Sequence, residues 1–521
     1  MDRRDFLAHS AKAGILLSAL PVLGRFPAQA LAYSPAMDRL RRLTEQNDRV
    51  FVLIQLQGGN DGLNTLVPIE NPRYYALRPT LAIPKSQTLR LTDTLGWHPA
   101  LGGLKALYDR GELAIVQGVI YPNPDRSHFR GTDIWVTATD ADVFLGTGWL
   151  GRYLETLVQD LPLGEIPSEP LAVQIGGASS LVLYSERGLM GVSFRNPREF
   201  YRLLAASSDG GFGGPLPETP AGQELLFLRS VAQAAQRYAV SVRRAAERGA
   251  NRVTYPDTDL AQKLRIVAQL ISGGLGAKVY VVGIERNAFD THAYQGGVSG
   301  VHASLLKELS DALKAFMDDL KALDIADRVA GMTFSEFGRR VEENATAGTD
   351  HGTAAPMFIF GTQVLGGRIH GQDPDLENLD PRGDLLMQYD YRQVYAAALL
   401  QWFGAPQTQV QRVLLREFSP LPLFHPPEVV GIGEPWEFGL EAHPNPASQT
   451  ATISFNLPEA APVEVALLDV HGRVVRPLLQ TELAAGYHRL PVNLGGLPSG
   501  LYLYRLRVGQ RSVLRALHVV H

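Results

Sequence analysis

The sequence predicts an α/β fold, a mostly parallel sheet sandwiched by helices, followed by a small C-terminal all-β sandwich. Three observations predict it. From Arg49 to Phe424, apolar runs of five to seven residues alternate with amphipathic helical patterns, the rhythm of parallel strands covered on both faces. Beyond residue 440 the helical period disappears, and short alternating runs (ATISFNL, VEVALLDV, HRLPVNL, GLYLYRLRV, SVLRALHVV) are separated by turn residues. Between the two regions the chain is dense in Pro and Gly over 425–440, which reads as a linker.

The elements follow in order. Residues 1–32 carry Arg3 and Arg4, an apolar stretch from Ala13 to Leu23, and small-residue sites at Ala28–Ala30 and Ala30–Ala32. The stretch is too short and too interrupted to form a stable transmembrane segment. This segment resembles a twin-arginine signal peptide, which implies the twin-arginine translocase as a partner and export into the periplasm.

Composition sets the outer limits. Hydrophobic residues are 45% and charged residues 20% of the 521, an ordinary globular balance with room for a large core. A net charge of -4 offers no basic field for nucleic acid. The chain has no cysteine, so any metal must be held by His, Asp and Glu.

Within 49–424 the strand candidates are Val50–Leu56, Leu113–Val119, Leu171–Gly176, Lys278–Ile284, Arg328–Phe334 and Met357–Gly361. The clearest helix is HASLLKELSDALKAFMDDLKAL, with Leu305, Leu309, Leu313, Phe316 and Leu320 on one face. Ligands collect beyond the carboxyl ends of such strands. There the sequence places Asp61 after the first strand, Arg126, Ser127 and His128 after the second, and Asp290 and His292 after Ile284. Glu336 follows Phe334, and Asp350 and His351 precede Met357. Each has a plainer reading alone. Asp61 beside Gly62 suits a turn, Glu336 suits an ion pair with Arg339 or Arg340, and a lone histidine suits a structural role. Together they point to a metal site of carboxylates and imidazoles, fit for zinc, manganese, magnesium or calcium.

The segments FVLIQLQGGNDGLNTLVP, RSHFRGTDIW, DTHAYQ, SEFGRR and GTDHGTAAP resemble a bacterial family known as domain of unknown function 1501, and through it the alkaline phosphatase superfamily with its sulfatases. The resemblance implies an alkaline phosphatase-like domain over 49–424 with Asp61, Asp290, His292, Glu336, Asp350 and His351 as metal ligands. It implies Ser127 as nucleophile, His128 beside it, and Arg126 or Arg130 as an anion clamp. SEFG stands where that superfamily carries an Asp-His-Gly element, or TDHG is itself that element. In the first alignment Phe337 replaces a second-metal histidine, which implies an incomplete two-metal centre.

In the last segment, Pro444, Asn445, Pro446, Asp469, Gly472, Gly486, Leu497, Ser499, Gly500 and Tyr502 resemble the C-terminal sorting domain, type A, of the type IX secretion system. The resemblance implies an immunoglobulin-like sandwich over 441–521, the type IX machinery as a partner, and a location on the cell surface or outside. The resulting expectation is an exported, metal-dependent hydrolase of sulfate or phosphate esters, with an anionic ester or polysaccharide as substrate. The alternative is a non-catalytic surface binding protein that retains a degraded metal site.

Overall fold

The computed structural model describes residues 48–158, 169–206 except 178, 238–425, and 438–520 except 439, 458, 470–473 and 509–510. The segment 1–32 expected to be a twin-arginine signal, most of the 425–440 linker, and Gly472 lie outside the described residues. The chain divides into a unit from Asp48 to His425 and a C-terminal unit.

The larger unit is built on a nine-stranded sheet. Its strands are β1 (Val50–Leu56), β2 (Leu113–Ile120), β3 (Ala172–Ile175), β4 (Gly191–Phe194), β5 (Val279–Ile284), β6 (Val329–Phe334), β7 (Ala355–Gly361), β8 (Ile369–His370) and β9 (Tyr389–Asp390). The order is β8-β2-β7-β6-β1-β5-β3-β4, with β9 also on β2. Pairings are parallel except those of β7, which runs against both β6 and β2. The sequence reading located six of these strands and missed the short strands β4, β8 and β9 and the reversal of β7.

Alternation along β1 shows why both faces are covered. Val50, Val52 and Ile54 enter one core with Leu264 and Val267 of α2 (Asp259–Ser272) and Leu309 and Leu313 of α3 (Val301–Ala322). Phe51 and Leu53 enter the other core with Trp135 of α1 (His128–Thr137) and Tyr391 and Tyr395 of α4 (Tyr391–Ala397). These side chains are essentially fully buried, and each large apolar one contributes about 1.5–3 kcal/mol. The sheet therefore forms a rigid floor, and the loops at one edge are free to carry polar groups.

That edge collects the carboxyl ends of β1, β2, β5 and β6. Because β7 is reversed, its amino end lies there too.

The C-terminal unit consists of two antiparallel sheets. One holds β10 (Glu441–His443), β11 (Thr450–Leu457) and β14 (Gly486–Asn493). The other holds β12 (Ala461–Leu468), β13 (Val474–Leu483), β15 (Gly500–Val508) and β16 (Arg511–Val519). Ile453, Phe455, Val465, Leu467, Leu506 and Leu517 form their common core, as alternating inward residues of a sandwich do. Two residues of the sorting motif close the ends. Asn445 Oδ1 accepts from the His518 backbone N–H at 2.9 Å, and the Tyr502 hydroxyl donates to the Pro498 carbonyl at 3.0 Å.

Candidate metal centre

Three segments bring three imidazoles and one carboxylate together. His128 is the first residue of α1 after β2, Asp290 and His292 follow β5, and His351 precedes β7. His128 Nε2 lies 3.3 Å from Asp290 Oδ2. His351 Nε2 and His292 Nε2 each lie 3.0 Å from Asp290 Oδ1, and 2.9 Å from one another.

The other ring nitrogens explain this convergence. His128 Nδ1 stands 2.8 Å from Glu336 Oε1, His292 Nδ1 is 3.0 Å from Asp350 Oδ1, and His351 Nδ1 is 2.7 Å from the Arg126 carbonyl. Each Nδ1 therefore donates a proton to an oxygen, which leaves each Nε2 as a lone pair. Imidazoles that bind metals are oriented in this way.

Lone pairs 2.9 Å apart beside a carboxylate repel one another unless a cation lies among them. A tetrahedral zinc ion with bonds of about 2.0–2.1 Å spaces its ligand atoms about 3.3 Å apart, close to the 2.9–3.3 Å between Asp290 and each imidazole and between His292 and His351; the set whose ligand atoms all lie near one another is His128, Asp290 and His351. His128 Nε2 also makes no hydrogen bond, despite its burial and its nearness to Asp290. The nitrogen and oxygen donors thus fit a divalent ion.

Electrostatics favour an ionised Asp290 and a neutral His351. Burial pushes the Asp290 carboxyl up, but the hydrogen bond and charge of Arg339 and the neighbouring imidazoles outweigh it and bring it down to about 2. The hydrogen bond to Glu336 raises His128, while burial lowers His351. Arg339 is buried and its Nη2 donates to Asp290 Oδ1 at 2.7 Å; it also reaches the Gly59, Phe289 and Thr349 carbonyls. It fixes the carboxylate and ties the loops after β1 and β5 to the segment before β7.

The remaining sequence-predicted residues fall in different places. Asp61 is not among the converging atoms, and this corrects its reading as a ligand. It is 1% exposed, and its Oδ2 accepts from Arg78 Nη1 at 2.6 Å and from Gln295 Nε2 at 2.5 Å. A guanidinium thus balances its charge. Glu336 and Asp350 stand one bond behind the imidazoles as acceptors; Glu336 Oε1 also accepts from the Gly58 N–H at 2.8 Å, and neither Arg339 nor Arg340 pairs with it. Ser127 is exposed at the N-cap of α1, and its hydroxyl makes no cap hydrogen bond. Phe337 is fully buried, its ring centroid 5.0 Å from that of His128 and 4.6 Å from that of His351. Its ring occupies one side of the cluster with hydrocarbon.

The glycine of the Asp-His-Gly element has a steric cause. A β-carbon at Gly352 would lie 2.3 Å from the Arg339 carbonyl carbon, where the legs 338–340 and 350–353 pair antiparallel.

Beside the cluster opens a cavity of about 330 Å³, lined by three arginines, Arg126, Arg340 and Arg382, with His292, His351, Asp350 and Asp384. Arg126 is engaged by Asp380 and Asp384. Arg130, the other clamp the sequence suggested, is spent on Asp133 and on the Ala141 and Val143 carbonyls. Arg382 is the cation that sequence reasoning missed: its guanidinium has no partner among the described residues. Nothing around PRGD in the sequence marks it, because only the fold of 371–388 brings it to the cavity.

Comparison with known proteins bears on both units. Residues 229–414 match the family described as "Protein of unknown function (DUF1501)", a stretch that includes Asp290, His292, Glu336, Asp350 and His351. Residues 441–519 match the secretion system C-terminal sorting domain. No curated protein matches the chain. Among solved structures, the chain is similar to an alkaline phosphatase superfamily protein from Vibrio parahaemolyticus at 12% identity, covering 80% of this chain and 77% of that one, with a TM-score of 0.33. A sulfatase from a Pseudoalteromonas species is similar at 10% identity, with coverage of 88% and 87% and a TM-score of 0.30. A phosphonate monoester hydrolase from Silicibacter pomeroyi is similar at 9% identity, with coverage of 90% and 86% and a TM-score of 0.30.

Proposed function

We propose that this chain is an exported, metal-dependent hydrolase of sulfate or phosphate esters. The observation that carries the reading is the set of three imidazoles whose Nδ1 protons are pinned by oxygens and whose Nε2 lone pairs turn toward Asp290, beside an arginine-lined cavity. His128, Asp290, His292 and His351 would hold the ion. When bound, it supplies Lewis acidity that neutralises charge on the ester oxygens.

The chain's own groups do the rest. Arg382 binds the anion through its unpaired guanidinium, and Arg126, fixed by Asp380 and Asp384, orients the loop that carries Ser127. Ser127 Oγ is the nucleophile in this reading. It is exposed and free of a capping bond, so it can turn to attack phosphorus or sulfur in line with the leaving alcohol, which departs with the hydroxyl proton; water then hydrolyses the seryl ester and frees Ser127. Phe337 excludes water from the buried side of the imidazoles. The sorting-domain match supports delivery by the type IX machinery to the surface or outside, after export through the periplasm directed by residues 1–32.

Metal analysis of the purified full chain, with turnover of aryl sulfate and aryl phosphate, tests the proposal. The expected result is bound metal, lost in Asp290→Ala and His292→Ala, and turnover lost in Ser127→Ala with metal retained. A protein that takes up no metal and is inert on both ester classes would instead be a surface binding protein.

A further inference from the structure

The strand that leads to His128 also shapes a second cavity. β2 and β7 pair through Val116↔Met357 and Val119↔Ala355, and the register shifts between those pairs, so Gln117 and Gly118 form a bulge. Bulges re-aim side chains and recur beside functional sites. Gly118 has φ 62°, and a β-carbon there would stand 2.6 Å from Gln388 Cγ. Its carbonyl accepts from the Gln388 N–H at 2.8 Å. Gln388 in turn grips the Gln372 backbone with both ends of its amide, Oε1 accepting at 2.7 Å and Nε2 donating at 3.0 Å.

The bulge and this glutamine fix one wall of a cavity of about 280 Å³. No residue lines both this cavity and the arginine-lined one, although the 371–388 loop contributes to each.

Its lining has two sides. On the polar side, Gln117 is 3% exposed and its Nε2 has no hydrogen-bond partner. A buried donor left unpaired is costly, and its persistence points to a ligand group that pairs with it. The side chains of Gln372 and Asp373 line the same cavity and make no hydrogen bond or ion pair with the described residues. Asp375 is consumed by its own turn, accepting from the Glu377 and Asn378 N–H groups and from Asn378 Nδ2. The other side is apolar: Leu63, Pro356 and Leu385. No lysine, arginine or histidine lines the cavity, so nothing there attracts an anion.

We infer that this cavity binds one neutral sugar ring. Amides and a carboxylate pair with hydroxyls as donors and acceptors, while the apolar wall covers the C–H face of the ring. The volume falls just below the range of drug-sized ligand pockets, about 300–1,000 Å³, and suits a single ring. Binding of this kind is independent of ester hydrolysis at the metal centre.

Calorimetric titration of the full chain with D-glucose, D-galactose, D-mannose and D-xylose, and with D-glucosamine as a cationic competitor, tests the assignment. At least one neutral aldose is expected to bind saturably. Its affinity should fall about two- to ten-fold in Gln117→Leu, the loss of one neutral hydrogen bond, and about ten-fold or more in Asp373→Ala, the loss of a charge-assisted one. Asp373 is exposed, so that variant reads the site even if the Gln117 variant misfolds. Failure of all four neutral aldoses to bind overturns the inference, as does binding of glucosamine alone. Unchanged affinity in Asp373→Ala and in any folded Gln117→Leu overturns it as well.

Discussion

Glu336→Ala separates a group that orients a metal ligand from the ligand itself. The carboxylate is fully buried, and its Oε1 accepts from the Gly58 N–H and from His128 Nδ1, both at 2.8 Å. Truncation leaves two donors without an acceptor. A buried unpaired donor costs about 1–3 kcal/mol, and the His128 side chain is only 17% exposed, so water relieves little of it. Its Oε2 has no partner either, and removing that unsatisfied oxygen returns part of the loss. A net destabilisation of about 2 kcal/mol follows. With Nδ1 released, His128 can take the tautomer that protonates Nε2, and zinc affinity should fall about 10–100-fold.

Glu336→Gln isolates the charge. Its amide oxygen can still accept both bonds, so stability should change by less than about 1 kcal/mol. The carboxylate's hydrogen bond is the chief cause of the raised His128 pKa, and the amide raises it less. In metal-free protein a raised histidine contributes stability that is full below its unfolded pKa and is lost as pH rises through the folded one. That window narrows in Glu336→Gln. Since protonated His128 cannot coordinate, the pH at which zinc binding fails should also move down. Chelator-competition titrations of zinc across pH, with urea unfolding of the metal-free forms, measure both effects. Wild-type zinc affinity and pH profile in Glu336→Ala would refute the orienting role.

Other outcomes follow from the same geometry. Asp61→Asn leaves Arg78 buried opposite a neutral group and should cost about 3–5 kcal/mol in denaturant unfolding with metal content unchanged; loss of metal without loss of stability would make Asp61 a ligand after all. Asp290, held at about 2 in the fold, contributes stability that is full above its unfolded pKa and is lost as pH falls from about 4 toward 2. Allowing for its partial exposure, the contribution is about 1–2 kcal/mol, so the stability gap between metal-free wild type and Asp290→Asn should close over that range in acid unfolding curves. Replacing Arg3 and Arg4 by lysine should strand precursor in the cytoplasm, because a twin-arginine receptor reads guanidinium groups, and cell fractionation showing normal delivery would remove that route.

Much of the fold was legible because β1, β5 and β6 are continuous apolar runs, and a strand buried on both faces leaves that trace in sequence. The edge of the sheet that carries the site was legible as well, since polar clusters follow such strands. Partner choice was not. Asp61 and Asp290 look alike as acids in polar turns, and only tertiary packing sets Arg78 against one and three imidazoles against the other. His128 was read as a neighbour of the nucleophile, yet the first turn of α1 directs it into the cluster. Glu336 and Asp350 carry ligand chemistry, and nothing local distinguishes a ligand from the acceptor behind one.

The reversal of β7 governs how this centre can be assembled and altered. In a parallel unit a loop leaves one edge of the sheet and the chain must cross its full height before the next strand begins. Here the segment 335–354 starts and finishes on the same edge, with its legs already zipped by the bonds between Gly338 and Gly352 and between Arg340 and Asp350. Closing a loop of some twenty residues costs little chain entropy compared with the separation of 162 positions between His128 and Asp290. His351 and the Glu336 that orients its neighbour can therefore meet through local pairing, early and without the rest of the site. The tip at 342–347 is tied to the site as well: Asn344 Nδ2 donates to the His292 carbonyl at 2.9 Å and to Asp350 Oδ1 at 3.0 Å, and the Tyr294 and Gln295 N–H groups donate to the Thr346 and Ala347 carbonyls, so a change in its length would move the loop that carries His292.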